Sequence, residues 1–374
     1  MFIKDRSAAC FFIGIPIVYV LLFGTLYLKN TVNYTATVVY DEDQTALSRE
    51  VVRAFEDSDR FRIVAYVDTQ EELEQYMREK KSLVGVAIPL HFSRDIKKGV
   101  SAPILFEVDG SNIIIANTLI GSAQDLIGKV YPAIAQDLIG VIGMSPGASS
   151  HYASPIDVET RILNNPTFGY TNFLLIGLGV YALQTGIVLT VGPLVNREFQ
   201  RLDAWKETAT PLILAGKMLA YWLCGVLTFI GYVLICVYVF TLPFRGGIGE
   251  LLLLGSGYVF SVAAVGCFIG TVAPGEVMAV LMPLLYIMPA LLFSGYIWPQ
   301  MIMNTFSYVF AKSVPIGYMA DNMRDLMLNG YAPHLLHDAG ILYMSGLVLL
   351  VAAGGIFSLR RKHSKFRSDE GAPT

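Results

Sequence analysis

Charge is scarce in this chain, and its absence is more informative than its presence. Only 15% of the 374 residues are charged. From Pro211 to Ile297 just Lys217, Arg245, Glu250 and Glu276 interrupt an apolar run that is far too long for one buried core helix. Cysteine is also sparse. Cys10, Cys224, Cys236 and Cys267 all sit inside apolar runs, and none belongs to a CxxC or a Cys/His cluster, so they read as small buried hydrophobes rather than disulfide or zinc partners. No GxxxxGK[ST] occurs, and Ala215-Gly216-Lys217 lacks both its spacing and its following hydroxyl; ATP has no cradle of the usual kind here. A net charge of -3 gives no basic footprint, which excludes nucleic acid as a partner.

What is present is hydrophobic and unevenly spread. Hydrophobic residues make up 54% of the chain, mean hydropathy is +0.54, and about two-thirds of the acidic residues fall between Lys29 and Arg161. Those averages describe a polar block diluted by strongly apolar helices. At the N-terminus, Lys4 and Arg6 precede an apolar run from Ala8 to Leu28, roughly one bilayer span. Thr25-Leu26-Tyr27-Leu28 is a poor cleavage site, so the run reads as a retained anchor rather than a signal peptide. Further spans are expected at Thr171 to Val195, Leu212 to Thr241, Leu251 to Val272, Val277 to Ile297 and Ile341 to Leu359. Three basic clusters lie outside them: Lys4 and Arg6; Arg197, Arg201 and Lys206; and Arg360, Arg361, Lys362, Lys365 and Arg367. Six spans put all three clusters on one side, the cytoplasmic one, with both termini. The polar block, the Leu242 to Glu250 loop and the Trp298 to Asp338 segment then face the other side.

The polar block reads as alternating strands and helices. TATVVY leads to a helix with Leu47, Val51 and Phe55 on one face, then FRIVAYV alternates with period two. Thr69 and Glu72 form a capping-box pattern before Leu73, Tyr76 and Met77. SLVGVAIPL and APILFEVDG are buried-strand candidates, and a long helical stretch from Asn112 to Val141 leads into the loop SPGASSHYASP. The expected fold class is therefore an α-helical polytopic membrane protein with six transmembrane helices and an inserted extracytoplasmic α/β domain. Its divisions are an anchor at 1–30, the α/β domain at 31–166, a five-helix domain at 167–359 and a basic tail at 360–374.

Catalytic patterns are few and each fails on physical grounds. Gly143-Met144-Ser145-Pro146-Gly147 matches GxSxG, with His151 close behind, but Pro146 has no N–H to donate to an oxyanion and no strand precedes Ser145. His334 and His337, with Asp338, lack a second metal motif. Gly266 to Gly270 is a GxxxG that suits helix packing within the chain or dimerisation. Glu276 is either an intramembrane acid or a residue of a tight cytoplasmic turn at a helix N-terminus. The stretch from Asn196 to Pro211 differs in kind. It mixes both signs of charge with Phe199, Leu202 and Trp205 at i, i+3 and i+6, so it reads as either a helix lying on the inner membrane surface or an ordinary charged loop.

Three groups of residues carry a family resemblance. Arg197-Glu198 and Thr210-Pro211 bracket the cytoplasmic segment, with Leu202-Asp203 in place of a usual Gly-Thr. The insert carries VVYDED, LSREVVRAF, VAIPLHFSRDI and VDGSN, then Ala116-Asn117. Between the last two spans, Ser294-Gly295, Trp298-Pro299, Pro315, Tyr318 and Arg324 stand in LLFSGYIWPQMIMNTFSYVFAKSVPIGYMADNMRDLMLNG. In these features the chain resembles the permease subunits of type-2 ABC exporters that bear a large extracytoplasmic insert. The resemblance implies a transport subunit rather than an enzyme, in a bacterial inner membrane. It implies separate ATPase subunits that carry ATP and Mg, no cofactor on this chain, and a second permease, identical or related.

The resemblance further implies a coupling segment at 196–211 that includes Arg197, Glu198, Arg201, Trp205 and Pro211. It also implies a re-entrant hairpin at 298–320 acting with Ser294, Gly295, Trp298, Pro299, Pro315, Tyr318 and Arg324 as an extracytoplasmic gate. A re-entrant backbone needs shelter by protein or a water-filled cavity, a condition that a gate and a structural plug both meet. Few polar side chains line any span, which suits a hydrophobic or amphiphilic cargo. The insert could dock a periplasmic adaptor or collect substrate. The alternative is a membrane-anchored receptor that uses the outer domain to bind a ligand or partner, although the cytoplasm would receive only one loop and a short tail as its output.

Overall fold

The computed structural model describes residues 6–27, 32–98, 102–110, 113–142, 169, 171–199, 210–298 and 300–370. In chain order the elements are α1 (Arg6–Leu26), β1 (Thr35–Asp41), α2 (Ala46–Glu56), β2 (Phe61–Val67), α3 (Gln70–Arg78), β3 (Val84–Ile88), α4 (Phe92–Lys97), β4 (Leu105–Val108) and α5 (Ile113–Ile142). They continue with α6 (Ile176–Phe199), α7 (Thr210–Leu234), α8 (Ile248–Val272), α9 (Glu276–Phe293), α10 (Thr305–Ser313), α11 (Pro315–Leu328) and α12 (Leu335–Glu370). The chain divides into two compact units. Met1–Asn30 with Gly169–Thr374 forms one, and Thr31–Phe168 forms the other.

The Thr31–Phe168 unit is built on a four-stranded sheet of order β2-β1-β3-β4. β1 runs parallel to both β2 and β3, and β4 pairs antiparallel at the edge. β3 is buried at every position, as its unbroken VGVAI run demands of a strand covered on both faces. β4, expected as buried, is an edge strand and remains partly exposed. One crossover runs from β1 to β2 through α2 and the other runs back from β2 to β3 through α3. Right-handed crossovers in opposite directions put their helices on opposite faces. Accordingly Val39, Val86 and Ile88 pack with Val51, Phe55 and Leu119 on one face, while Val38 and Ala87 pack with Leu73 on the other.

The start of α2 is held by a reciprocal capping box. The Thr45 side chain accepts from Ser48 N–H, and Ser48 Oγ accepts from Thr45 N–H at 3.0 Å. At Thr69 the expected box is only half formed: Thr69 accepts from Glu72 N–H, but the Glu72 carboxylate accepts from Asp68 N–H instead. Asp43 joins the starts of α2 and α4, accepting from Thr45 Oγ1 at 2.7 Å, Ser93 Oγ at 2.6 Å and Ser93 N–H at 3.0 Å. Desolvation pushes the Asp43 carboxyl up, but the hydrogen bonds from Ser93 and Thr45 prevail and hold it below the ordinary 3.8.

In the other unit, six helices are long and apolar enough to cross a membrane: Ser7–Leu26, Thr171–Glu198, Leu212–Val239, Ile248–Val272, Glu276–Phe293 and Leu335–Arg360. α6 and α8 are the inner pair, with Val180, Leu183, Ile187 and Val191 of α6 and Leu254, Tyr258, Val262 and Ala263 of α8 all buried. Around them α1, α7, α9 and α12 turn large apolar side chains outward, among them Leu22, Leu227, Leu285 and Val351. An apolar exterior on a helical bundle is the surface that lipid solvates.

Small residues set the spacing of the inner pair. A Cβ on Gly270 would stand 2.4 Å from Gly192 O, and one on Gly266 would stand 3.0 Å from Val191 Cβ. The GxxxG is thus spent on α6–α8 packing within the chain. Tyrosine hydroxyls satisfy backbone carbonyls inside this core, Tyr232 donating to Ile176 O at 2.7 Å and Tyr258 to Val180 O at 3.1 Å. Those carbonyls come after a π-helical turn at Thr171–Leu175, where the usual ladder is shifted.

Two outcomes are expected. Gly270→Ala forces α6 and α8 apart and costs about 1–3 kcal/mol, read as a lower melting temperature in detergent with membrane insertion intact. Because the folded-state pKa of Asp43 is depressed, its contribution to stability is present at neutral pH and is lost as pH falls through that value. Asp43→Asn therefore speeds hydrogen exchange at the starts of α2 and α4 at pH 7, and the gap from wild type closes as pH falls through the depressed Asp43 pKa.

Candidate functional site

Polar side chains in the membrane unit gather at the two ends of the bundle. At one end, the last turn of α6 carries Asn196, Arg197 and Glu198. Asn196 is buried and its Nδ2 donates to Gly270 O at 3.0 Å and Ala273 O at 2.9 Å. Arg360 of α12 reaches the same place, donating from Nη1 to Ala273 O at 3.1 Å and from Nη2 to Val272 O at 2.9 Å. The open carbonyls at the end of α8 are thereby capped by one amide and one guanidinium, the charge sign that a helix C-terminus favours.

The turn after α8 is tight, and Gly275 is the N-cap of α9. Glu276 is the first residue of α9, so the acid meets the positive end of its own helix and pairs with Arg197 at 3.1 Å. That settles Glu276 as a turn residue. Glu198 points inward instead. It is 3% exposed and pairs with Lys217 of α7 at 2.6 Å. Lys217 therefore has an ion-pairing role that its place in a failed P-loop pattern did not suggest.

Of the expected surface helix at 196–211, only 196–199 and 210–211 fall among the described residues. Asn196 to Phe199 continue α6 without a break, because each polar side chain on Asn196, Arg197 and Glu198 finds its partner on the bundle. Thr210 and Pro211 open α7, where a proline early in the first turn sacrifices no helical hydrogen bond. Arg201 and Trp205 lie outside the described residues, as do the GxSxG string and His151.

At the opposite end, the chain leaves α9 through Ser294 and Gly295. Ser294 Oγ donates to Leu291 O at 2.7 Å and accepts from Tyr296 N–H at 3.1 Å. Gly295 takes φ +88, a left-handed conformation that suits glycine. That bend drives Tyr296 back into the bundle. Its ring stacks on Phe173 with centroids 5.4 Å apart, its hydroxyl donates to Phe173 O, and a Cβ on Gly177 would collide with it at 2.2 Å. Arg324 of α11 lies over both rings, 5.2 Å from Tyr296 and 5.8 Å from Phe173, while its Nη2 holds Asp321 at 2.9 Å. Sequence reasoning singles out Ser294, Gly295 and Arg324 but misses Tyr296, which joins them. An aromatic residue directly after a Ser-Gly bend was the available signal.

The remaining residues build a helical hairpin. Asn304 caps α10, its side chain accepting from Ser307 N–H at 2.8 Å. Val314 is extended, as a residue before proline must be, and Pro315 opens α11. Tyr318 closes the pair by donating to Lys312 O at 2.9 Å. The hairpin runs on to Leu328, farther than 298–320. Asn322 ties it to the start of α12 by donating to Asp338 Oδ2 at 2.6 Å, and Arg245 donates to Leu328 O at its far end. Trp298 is 55% exposed, and Pro299 lies outside the described residues.

A polar cavity of about 300 Å³ opens here, lined by Lys312, Tyr318, Asp321, Arg324, His334 and Asp338 among others. Burial raises the Asp321 carboxyl, against the pull of Arg324. His337 Nδ1 lies 3.0 Å from Asp338 Oδ1. Among the described residues no group of three His, Cys, Asp or Glu side chains is placed to hold a metal ion.

Six spans, a polar clasp at each end and an inserted α/β unit coincide with a family described as ABC-2 family transporter protein, which matches residues 6–354. The chain belongs to the ABC-2 transporter family. It is similar to "Probable multidrug ABC transporter permease YbhS" of Escherichia coli K12, 24% identical over 302 residues that cover 79% of this chain and 77% of that protein. It is likewise similar to the permease YbhR of the same strain, at 23% over 318 residues covering 83% and 82%. "Inner membrane transport permease YhhJ", again from that strain, is 22% identical over 358 residues, 87% and 84% of the two chains. As an ABC-2 protein the chain is a multi-pass inner-membrane permease subunit of an ABC transporter, not the ATPase, and the family implies separate ATPase subunits as partners.

The clasp at the end of α6 makes a stability prediction. Lys217→Met removes the cation that pairs with the buried Glu198 carboxylate and is expected to lower the melting temperature of the bundle. Adding Glu198→Gln recovers much of that loss. Thermal unfolding of the three variants in detergent measures the coupling.

Proposed function

We propose that this ABC-2 permease is one half of an ATP-driven exporter that moves a hydrophobic or amphiphilic substrate out of the cytoplasm or the inner membrane. The segment between α6 and α7, with Arg197, Glu198, Arg201, Trp205 and Pro211, receives motion from the ATPase. The observation that carries the reading is the clasp at the end of α6. Asn196 and Arg360 grip the end of α8, Arg197 grips the start of α9, and Glu198 grips α7. A push on the residues next to that joint is delivered to five spans together rather than to one flexible loop. Such rigid-body transfer is what a motor on a separate subunit requires.

The far end supplies the matching gate. Ser294 and Gly295 place Tyr296 beneath Arg324, and Pro315 and Tyr318 fix the hairpin beside them. Aromatic and cation contacts of this kind can break and re-form without unpairing helix backbone. The hairpin therefore opens as a unit, with Trp298 at its start. A second permease, identical or related, completes the pathway, and the apolar walls suit the amphiphilic cargo suggested by the multidrug description of YbhS and YbhR. The α/β unit serves as a platform for a periplasmic adaptor.

Arg197→Ala with Arg201→Ala is expected to lower both transport and ATPase co-purification by roughly fivefold or more, with insertion unchanged. Glu276→Gln, which removes the ion pair between Arg197 and the start of α9, is expected to lower transport while ATPase binding persists. Full transport and full co-purification in the double arginine variant would refute the coupling role.

A further inference from the structure

A second cavity, of about 560 Å³, opens among α8, α9, α12 and the α10–α11 hairpin. Its size is that of an ordinary small-molecule site, and its lining is mostly apolar, with Val265, Phe268, Met282, Phe310, Ile341 and Leu349 among the residues that form it. Leu285 on its rim is 82% exposed, so the space is a groove open sideways to lipid rather than a closed void. Ser261 Oγ and Ser345 Oγ bond to each other at 3.1 Å across its floor and are satisfied there.

Two polar groups in the groove ask for a ligand. The Tyr286 hydroxyl is buried and has no hydrogen-bond partner among the described residues, a costly state for a hydroxyl in hydrocarbon. At the hairpin end, the exposed Lys312 ammonium lies 5.4 Å from the Tyr308 ring centroid and 5.5 Å from that of Tyr318. The neighbouring Asp321 is already paired with Arg324. Tyr286 stands seven residues before the end of α9, about 10 Å along the helix. The order from the hairpin into the membrane is therefore cation, hydroxyl, apolar trough.

We infer that this groove holds one acyl chain of an anionic glycerophospholipid drawn from the extracytoplasmic leaflet. Its phosphate sits at Lys312, and an ester carbonyl accepts from Tyr286. The lipid matches the site group for group: a single negative charge at interface depth where a lysine can snorkel, an acceptor just below it, and a chain below that. A second copy of this chain would bring an apolar helix face and leave Tyr286 without an acceptor, and a neutral hydrophobic cargo would leave Lys312 unanswered. The groove shares Lys312 and Tyr318 with the polar cavity at the outer end, and its occupancy does not depend on the transport reading.

The test uses the purified full chain in mixed micelles with phosphatidylglycerol carrying a photoreactive acyl chain, compared with phosphatidylcholine carrying the same chain. Phosphatidylglycerol is expected to label α8, α9 and α12 peptides about tenfold more than phosphatidylcholine. Lys312→Gln is expected to remove that preference, and Tyr286→Phe to lower labelling roughly threefold with an unchanged melting temperature. Equal labelling by the two lipids, or labelling indifferent to both variants, would overturn the proposal. So would a Leu285→Cys variant that forms a disulfide with a second copy and thereby excludes the lipid.

Discussion

Every backbone carbonyl at a helix end inside or near hydrocarbon must find a donor, and that demand organises the bundle around the end of α8. Val272, Ala273 and Gly270 present their carbonyls at the end of α8, and Asn196 and Arg360 answer them. Since those two side chains come from α6 and α12, satisfying one helix fixes three. Arg197 then finds Glu276 at the head of α9, and Glu198 finds Lys217 on α7. A requirement of solvation becomes a mechanical joint.

The opposite end solves a similar problem with aromatic groups. Gly295 turns the chain where α9 stops, and the turn leaves Tyr296 nowhere to go but into the gap that Gly177 keeps open. Arg324 then covers the Tyr296 and Phe173 rings. The first clasp rests on the buried Glu198–Lys217 pair and on bonds to helix carbonyls, whereas the second sets stacked rings under a guanidinium beside one tyrosine bond to Phe173 O.

Much of this architecture is legible in local pattern. Apolar length places all six spans to within a few residues, the longest differences being the earlier start of α12 at Leu335 and the earlier end of α9 at Phe293. Period-two alternation in Phe61–Val67 and the unbroken Val84–Ile88 run announce β2 and β3. The stretch from Asn196 reads in sequence as either a surface helix or a charged loop, and no local pattern announces that Asn196, Arg197 and Glu198 meet α8, α9 and α7.

The sequence alone determined which segments lie in lipid, which form the α/β unit, and that no ATP cradle of the P-loop type exists. These conclusions rest on local pattern, and hydrocarbon allows only one answer to a long apolar run. Packing in three dimensions is what uses GxxxG between α6 and α8, buries Glu198 against Lys217, and joins Tyr296 rather than Trp298 to the outer residues. Each of those is a meeting of residues far apart in the chain. Pairing over such distances is set by which helices pack together, and no local pattern records it.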